Sequence, residues 1–227
     1  MCTTELIVML TEHDLTIPNA TQVFASCKDS GAKYWGMKEK GLPLSQMQQL
    51  FDTFHQCGKV GVLEVVAYEE ADCLAGAKIA ADCGCDMLMG TLYYDSVLAY
   101  CREHNIRYMP FVGNVSGRPS VLDGSAEDMV AQARSYAEKG VFGIDLLSYR
   151  YRGDAELLTS QVVAKTDIPV CVAGSIDSYE KLDFIRQLSP AFFTIGSAFW
   201  AHRFGEDHCE QIRRVLSYIR QPAPQPV

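Results

Sequence analysis

Long apolar runs are missing from this sequence. No stretch reaches the ~18–20 consecutive apolar residues that a membrane-spanning helix needs, so no membrane partner is expected. Positive charge is also short. Lys and Arg number 20 against 28 Asp and Glu, a formal net charge of −8, which argues against a nucleic-acid partner. A small phosphate ester stays open, because backbone amides bind one without a basic surface. Met1–Thr4 carries none of the basic residues that open a secretory signal, and a strand-like run follows at once, so a cytoplasmic location is expected. Nine cysteines are present, yet no second Cys or His pair stands at zinc-like spacing beside Cys83 and Cys85. In an intracellular chain of this size they read as small core residues rather than disulfide partners, and no metal site is expected.

What is present is a regular alternation. The 227 residues are 48% hydrophobic, enough to bury one large core. Short β-branched or apolar runs occur at Glu5–Leu10, Lys33–Lys38, Val60–Val66, Met87–Thr91, Arg107–Val112, Phe142–Leu147, Pro169–Ala173 and Ala191–Ile195. Segments of helical period lie between them, among them Leu44–Cys57, Glu69–Cys83, Ala126–Lys139, Ala155–Lys165 and Tyr179–Leu188. In the first of these Leu44, Met47, Leu50, Phe51 and Phe54 mark one helix face. Gly31, Gly58, Gly84 and Gly140 each stand between a helical segment and a strand, where a left-handed cap suits glycine. Eight β-then-α units imply parallel strands with right-handed crossovers, and their number in so short a chain favours a closed (β/α)8 barrel, an α/β TIM barrel, over an open sheet. The barrel is expected over residues 1–220, with a disordered proline-rich tail at 221–227.

The last two units carry the sharpest motif. Strand seven ends in Gly174-Ser175-Ile176 and strand eight in Gly196-Ser197-Ala198. Glycine after a strand lets backbone N–H groups approach a ligand, and the turns after strands seven and eight are where barrels commonly bind phosphate. Either turn alone reads as a tight turn. Two at corresponding positions point to phosphate binding by Gly174, Ser175, Gly196 and Ser197.

From Phe142-Gly143-Ile144-Asp145 through Ile168-Pro169-Val170, Ala173-Gly174-Ser175-Ile176 and Ile195-Gly196-Ser197-Ala198, the carboxy-terminal third resembles the ribulose-phosphate-binding barrel superfamily. Within it the turns are most similar to those of N-acetylmannosamine-6-phosphate 2-epimerases. Asp86–Leu92, Val97–Glu103 and Arg107–Val112 more weakly resemble keto-deoxy-phosphogluconate-type aldolases. The resemblance implies a phosphorylated sugar or sugar acid as substrate. It does not carry over a reaction. The epimerases place a lysine on strand three, where this chain has Glu64, and an acid after strand seven, where it has Ala173-Gly174-Ser175; the aldolases use a strand-six lysine, where it has Asp145.

Three ionisable residues sit near the C-terminal ends of strands, where barrels keep their chemistry. Glu64 and Asp145 each interrupt an apolar run, and a charge there is costly to bury unless paired or used. They read either as structural ion pairs or as acid/base groups. Lys38 shares a strand face with Tyr34 and Gly36, but Glu39 and Lys40 follow it, so it reads equally as an inward group or as part of an exposed turn. His13 and Asp14 follow strand one at the rim. Asn114 and Arg118, in a glycine-rich loop after strand five that could close over a ligand, and Arg150 and Arg152, after strand six, are weaker substrate-binding candidates. His55, His104 and His208 read as surface residues on helices.

These observations together predict an enzyme acting on a small phosphorylated sugar or sugar acid. An isomerase or epimerase working through an enediolate leads, with Glu64 or Asp145 as base and Lys38 at the oxyanion. A carbon–carbon lyase and a non-catalytic phosphate-binding barrel stay open. No cofactor is required, flavin mononucleotide being a further candidate for the phosphate site, and association into homo-oligomers is compatible with the fold.

Overall fold

The computed structural model describes residues 4–222. Its frame is a sheet of eight parallel strands: β1 (Glu5–Met9), β2 (Tyr34–Lys38), β3 (Val60–Val65), β4 (Met87–Gly90), β5 (Arg107–Met109), β6 (Ile144–Leu146), β7 (Val170–Val172) and β8 (Phe192–Ile195). All eight lie within the segments expected from the sequence. They are ordered β6-β7-β8-β1-β2-β3-β4-β5, and a parallel bridge between Phe111 and Asp145 joins the two ends into a barrel. The Asp145 N–H, donating to the Pro110 carbonyl at 2.9 Å, reinforces that seam.

Helices α1 (Ala20–Cys27), α2 (Leu44–Gln56), α3 (Glu70–Asp82), α4 (Asp95–Glu103), α5 (Ala126–Glu138), α6 (Ala155–Lys165) and α7 (Tyr179–Leu188) follow the first seven strands in turn. After β8 the chain makes one short helix, α8 (Ser197–Trp200), before α9 (His208–Ile219), so the described residues hold nine helices where eight were expected. Side-chain caps start several of them: Ser125, Asp154, Ser178 and Asp207 each accept a first-turn amide. On α2 the expected face is buried at Met47, Leu50, Phe51 and Phe54, whereas Leu44, at the helix start, is exposed.

Strand alternation separates two cores. Ile7, Met9, Tyr34, Val62, Met87, Met89, Met109, Cys171 and Phe192 fill the barrel interior. Leu6, Val8, Trp35, Met37, Leu63, Val65, Leu88 and Val172 face outward, under the helices. No helix among the described residues is long and apolar enough to cross a membrane.

Three features depart from expectation. Thr11–Glu12 and Leu15–Thr16 form an antiparallel hairpin directly after β1. The loop after β5 is a second hairpin, Asn114–Ser116 against Val121–Asp123, fastened down by Arg118 donating to the Val66 carbonyl and by the Tyr68 hydroxyl within 2.8 Å of the Gly117 carbonyl and Ser120 Oγ. The cysteines are not all thiols: Cys27, closing α1, is disulfide-bonded to Cys209, opening α9. The two helices pack side by side because β1 and β8 are neighbours, and a separation of 182 residues left no spacing signal to read. Of the other cysteines, six are free and Cys2 lies outside the described residues, as does the expected disordered tail from position 223 onward.

Candidate active site

The inward parity of β2 is that of Tyr34, Gly36 and Lys38, and it carries Lys38 into the barrel mouth rather than into an exposed turn. Lys38 is buried, and its register partner on β3 is Glu64. The Glu64 Oε1 lies 3.3 Å from Lys38 Nζ. The first hairpin supplies a second carboxylate, since Asp14 at its tip accepts a hydrogen bond from Lys38 Nζ. Burial works against the Lys38 ammonium, but Glu64 and Asp14 outweigh it and hold the group above its ordinary value. Burial also opposes ionisation of Asp14, and the hydrogen bond and charge of Lys38 overcome it, leaving that carboxyl below its usual range.

Asp145 points into the barrel below this cluster and is 1% exposed. Neither carboxyl oxygen finds a partner within hydrogen-bonding geometry, so the nearby Gly90 amide offsets little of the cost of burial. Burial first, then the Glu64 charge, push the Asp145 carboxyl well above its ordinary value, toward the protonated form.

Beside Lys38 and Glu64 opens a cleft of about 220 Å³, and its other end is formed by the two glycine turns. Gly174 (φ +90°) and Ser175 (φ +55°) are both left-handed. Lys181 of α7 donates to the Ser175 carbonyl at 2.6 Å and pairs with Asp177 at 2.7 Å, which fixes that turn. Gly196 precedes α8, whose first amides lack intrahelical partners. A Cβ on Gly196 would meet Thr11 Oγ1 at 2.6 Å, and one on Gly174 would meet Arg150 Cγ at 3.0 Å. Buried Gln211 of α9 holds α8 from behind, donating to the Phe199 carbonyl at 3.0 Å and accepting from the Phe204 amide at 3.1 Å.

The cleft thus brings together Lys38, Glu64, Gly174, Ser175, Gly196, Ser197 and Arg150, with Asp145 beneath its floor rather than in its wall. Asn114 and Arg152 lie elsewhere. Asn114 is exposed on the second hairpin, and exposed Arg152 faces Asp123 at 3.5 Å. His13 is exposed and does not line the cleft. Arg118 reaches Glu39, at 3.6 Å. Thr11, Ser120, Asp177 and Arg203 line the cleft without having drawn attention in the sequence. Arg203 stands in a polar stretch past the last strand, where no pattern singles it out. Among the described residues no group of three or more His, Cys, Asp or Glu side chains is placed to hold a metal ion.

No protein-family model matches the chain, and no curated protein matches its sequence. Solved structures do match over nearly its whole length. Thiamine phosphate pyrophosphorylase from Pyrococcus furiosus superposes with a TM-score of 0.67 at 15% identity, over 95% of each chain. Mycobacterium tuberculosis tryptophan synthase gives 0.70 at 17% identity, over 96% of this chain and 93% of that one. A native KDPGal structure gives 0.68 at 15% identity, over 95% and 94%. At these identities what is shared is the fold, an eight-stranded parallel α/β barrel of the TIM type.

Proposed function

We propose that this barrel is an enzyme of the ribulose-phosphate-binding type that acts on a small phosphorylated sugar or sugar acid as an isomerase or epimerase. One observation carries the reading: a single cleft has two glycine turns at one end and a lysine clamped between carboxylates at the other. The phosphate is held by backbone amides at Gly174, Ser175, Gly196 and Ser197, with Arg203 beside them. Anchoring there sets the carbonyl over Lys38. Glu64, which lines the cleft, takes the proton from the carbon next to the carbonyl. The C–H electron pair becomes the C=C bond of an enediolate, and the carbonyl oxygen takes the negative charge against the Lys38 ammonium. In isomerisation the proton returns to the former carbonyl carbon while the neighbouring hydroxyl passes its proton to the oxyanion and becomes the new carbonyl; in epimerisation the original carbonyl re-forms as a proton reaches the other face of the same carbon. Behind Glu64 the Asp145 carboxyl is pushed toward its protonated form, which limits the negative charge in the barrel mouth. The cleft, of about 220 Å³, has room for a small sugar phosphate.

The test is a melting-temperature panel of sugar phosphates, each beside its unphosphorylated parent, followed by proton exchange into deuterium oxide for the strongest ligand. Ligand at about 100 times its dissociation constant adds roughly 2.7 kcal/mol of stability. A shift confined to phosphorylated compounds, with deuterium entering next to the carbonyl, is the expected result. Cleavage of the carbon chain in place of exchange would make the enzyme a lyase, and no shift with any phosphate would remove the anchor.

A further inference from the structure

The hairpin that carries Asp14 is built at a local cost. Its two turn residues, His13 (φ +47°) and Asp14 (φ +66°), are both left-handed, the conformation of a tight hairpin turn that glycine or asparagine normally fills. The turn buries little in return: the His13 side chain is 90% exposed and Leu15 is 47% exposed. Its anchorage is specific. Thr16, paired with Thr11 across the hairpin, donates through Oγ1 to the Lys38 carbonyl and accepts from the Lys38 amide, each at 2.9 Å. The hairpin is therefore fastened to the backbone of the residue whose ammonium Asp14 grips. An ammonium has three protons. With Asp14 accepting one and Glu64 ion-paired at 3.3 Å, a proton is left for the cleft.

We propose that Asp14 is a positioning residue that fixes Lys38 as a hydrogen-bond donor to a substrate carbonyl and bars it from forming an imine there. Loss of Asp14 then turns the site toward Schiff-base chemistry. The inference rests on the reading of the cleft as a site for a phosphorylated carbonyl compound. Imine formation needs the lone pair of a neutral amine. That pair forms the C–N bond, and the carbonyl oxygen departs as water after taking up two protons. An ammonium held by two carboxylates does not offer the pair, and the raised value of Lys38 agrees with that. The titratable and charged groups around Lys38 are Asp14 on the hairpin, Glu64 on β3, Asp145 on β6 and Glu39 beside it, with Arg118 and Arg150 acting on Asp14. Of the two carboxylates paired with the ammonium, Asp14 alone comes from outside the barrel strands.

Two probes test this on the full-length protein and its Asp14→Asn variant, asparagine being at ease in a left-handed turn. Competitive acetylation with acetic anhydride, followed at Lys38 by peptide mass spectrometry from pH 7 to 11, reads the neutral amine and needs no phosphate anchor. The Lys38 midpoint is expected to fall by about one pH unit or more in Asp14→Asn, with exposed Lys40 unchanged as internal control. Pyridoxal 5′-phosphate, a phosphorylated aldehyde, is then added at neutral pH and trapped by borohydride, which delivers hydride to the imine carbon. Lys38 labelling is expected to rise about tenfold in the variant, and inorganic phosphate should suppress it. An unmoved acetylation midpoint, or wild-type Lys38 acetylated as readily as Lys40, overturns the proposal. A moved midpoint with pyridoxal phosphate labelling indifferent to inorganic phosphate leaves the role of Asp14 standing and removes the phosphate anchor instead.

Discussion

Lys38 and Glu64 are register partners on adjacent parallel strands, and Glu64 Oε1 stands 3.3 Å from Lys38 Nζ. Because register fixes the pair, its geometry belongs to the barrel and not to a loop. A third carboxyl, Asp145 on β6, feels the Glu64 charge from within the barrel. Two carboxylates already outnumber the one ammonium, so a third ionised carboxyl would add to an excess of negative charge. Burial and the Glu64 charge accordingly push Asp145 toward its protonated form.

That arrangement makes stability depend on pH in a definite direction. The Asp145 carboxyl titrates higher in the folded protein than in the unfolded chain. Below about pH 4 both states hold the proton and nothing is lost. As pH rises past that point the unfolded chain releases its proton while the folded one keeps it, so stability falls, by at most ~1.4 kcal/mol per pH unit, until the folded group ionises too. Asp145→Asn removes this dependence while keeping the shape of the neutral acid. Urea unfolding of both proteins from pH 4 to 8 should show the variant gaining on wild type as pH rises. Parallel curves would mean that Asp145 is not held neutral.

Lys38→Met tests the opposite side of the balance. It leaves Asp14, Glu64 and Asp145 facing one another with no ammonium between them. The expected cost at pH 7 is roughly 1–3 kcal/mol, discounted because Asp14 and Glu64 keep some contact with solvent. Protonating the carboxyls should shrink it, so the variant and wild type should draw together in urea only as pH falls below about 4, since Lys38 holds wild-type Asp14 ionised to a lower pH than usual. A deficit that stays constant with pH would assign the loss to packing of the lysine stem.

Much of this site was legible in the sequence because a strand has a period of two. Glu64 and Asp145 stand out as charges inside apolar runs, and Lys38 shares a parity with Tyr34 and Gly36, although Glu39 and Lys40 after it left an exposed turn equally open. The two glycine turns were equally visible, since adjacent final units repeat them. Asp14 offered no such mark. Its contact with Lys38 spans 24 residues, and the His13-Asp14 turn lacks the glycine or asparagine that would announce a two-residue hairpin. The hairpin after β5 was read as a mobile loop for a related reason: Gly113, Gly117 and Gly124 show where the chain bends but not what Tyr68 and Arg118 tie down.

Gly196→Ala examines the phosphate end. The new Cβ would lie 2.6 Å from Thr11 Oγ1 and 3.2 Å from Met9 Cβ, too close for either neighbour unless the turn shifts. Thr11 begins the hairpin that carries Asp14, so the shift should pass to Lys38 as well. A stability loss of about 1–2 kcal/mol is expected, together with loss of the melting-temperature shift produced by a sugar phosphate. A variant that melts lower yet keeps the full ligand shift would place the phosphate away from Gly196.

The Cys27–Cys209 bond bears on the same turn from the other side. Cys209 lies two residues before Gln211, whose side chain holds the Phe199 carbonyl and the Phe204 amide and so fixes α8 behind Gly196 and Ser197. A cross-link over 182 residues constrains the unfolded chain by up to ~5 kcal/mol on chain-entropy grounds. For a chain of this size that corresponds to a melting temperature up to ~10–20 °C lower after dithiothreitol or in Cys209→Ser. The free cysteines serve as the control, because reductant leaves thiols unchanged and should not alter the melting of Cys209→Ser. If reductant leaves wild type unmoved, the two cysteines are thiols in solution. If it lowers the melting temperature and also weakens the shift given by inorganic phosphate, the bond supports the phosphate turn through Gln211 as well as the fold.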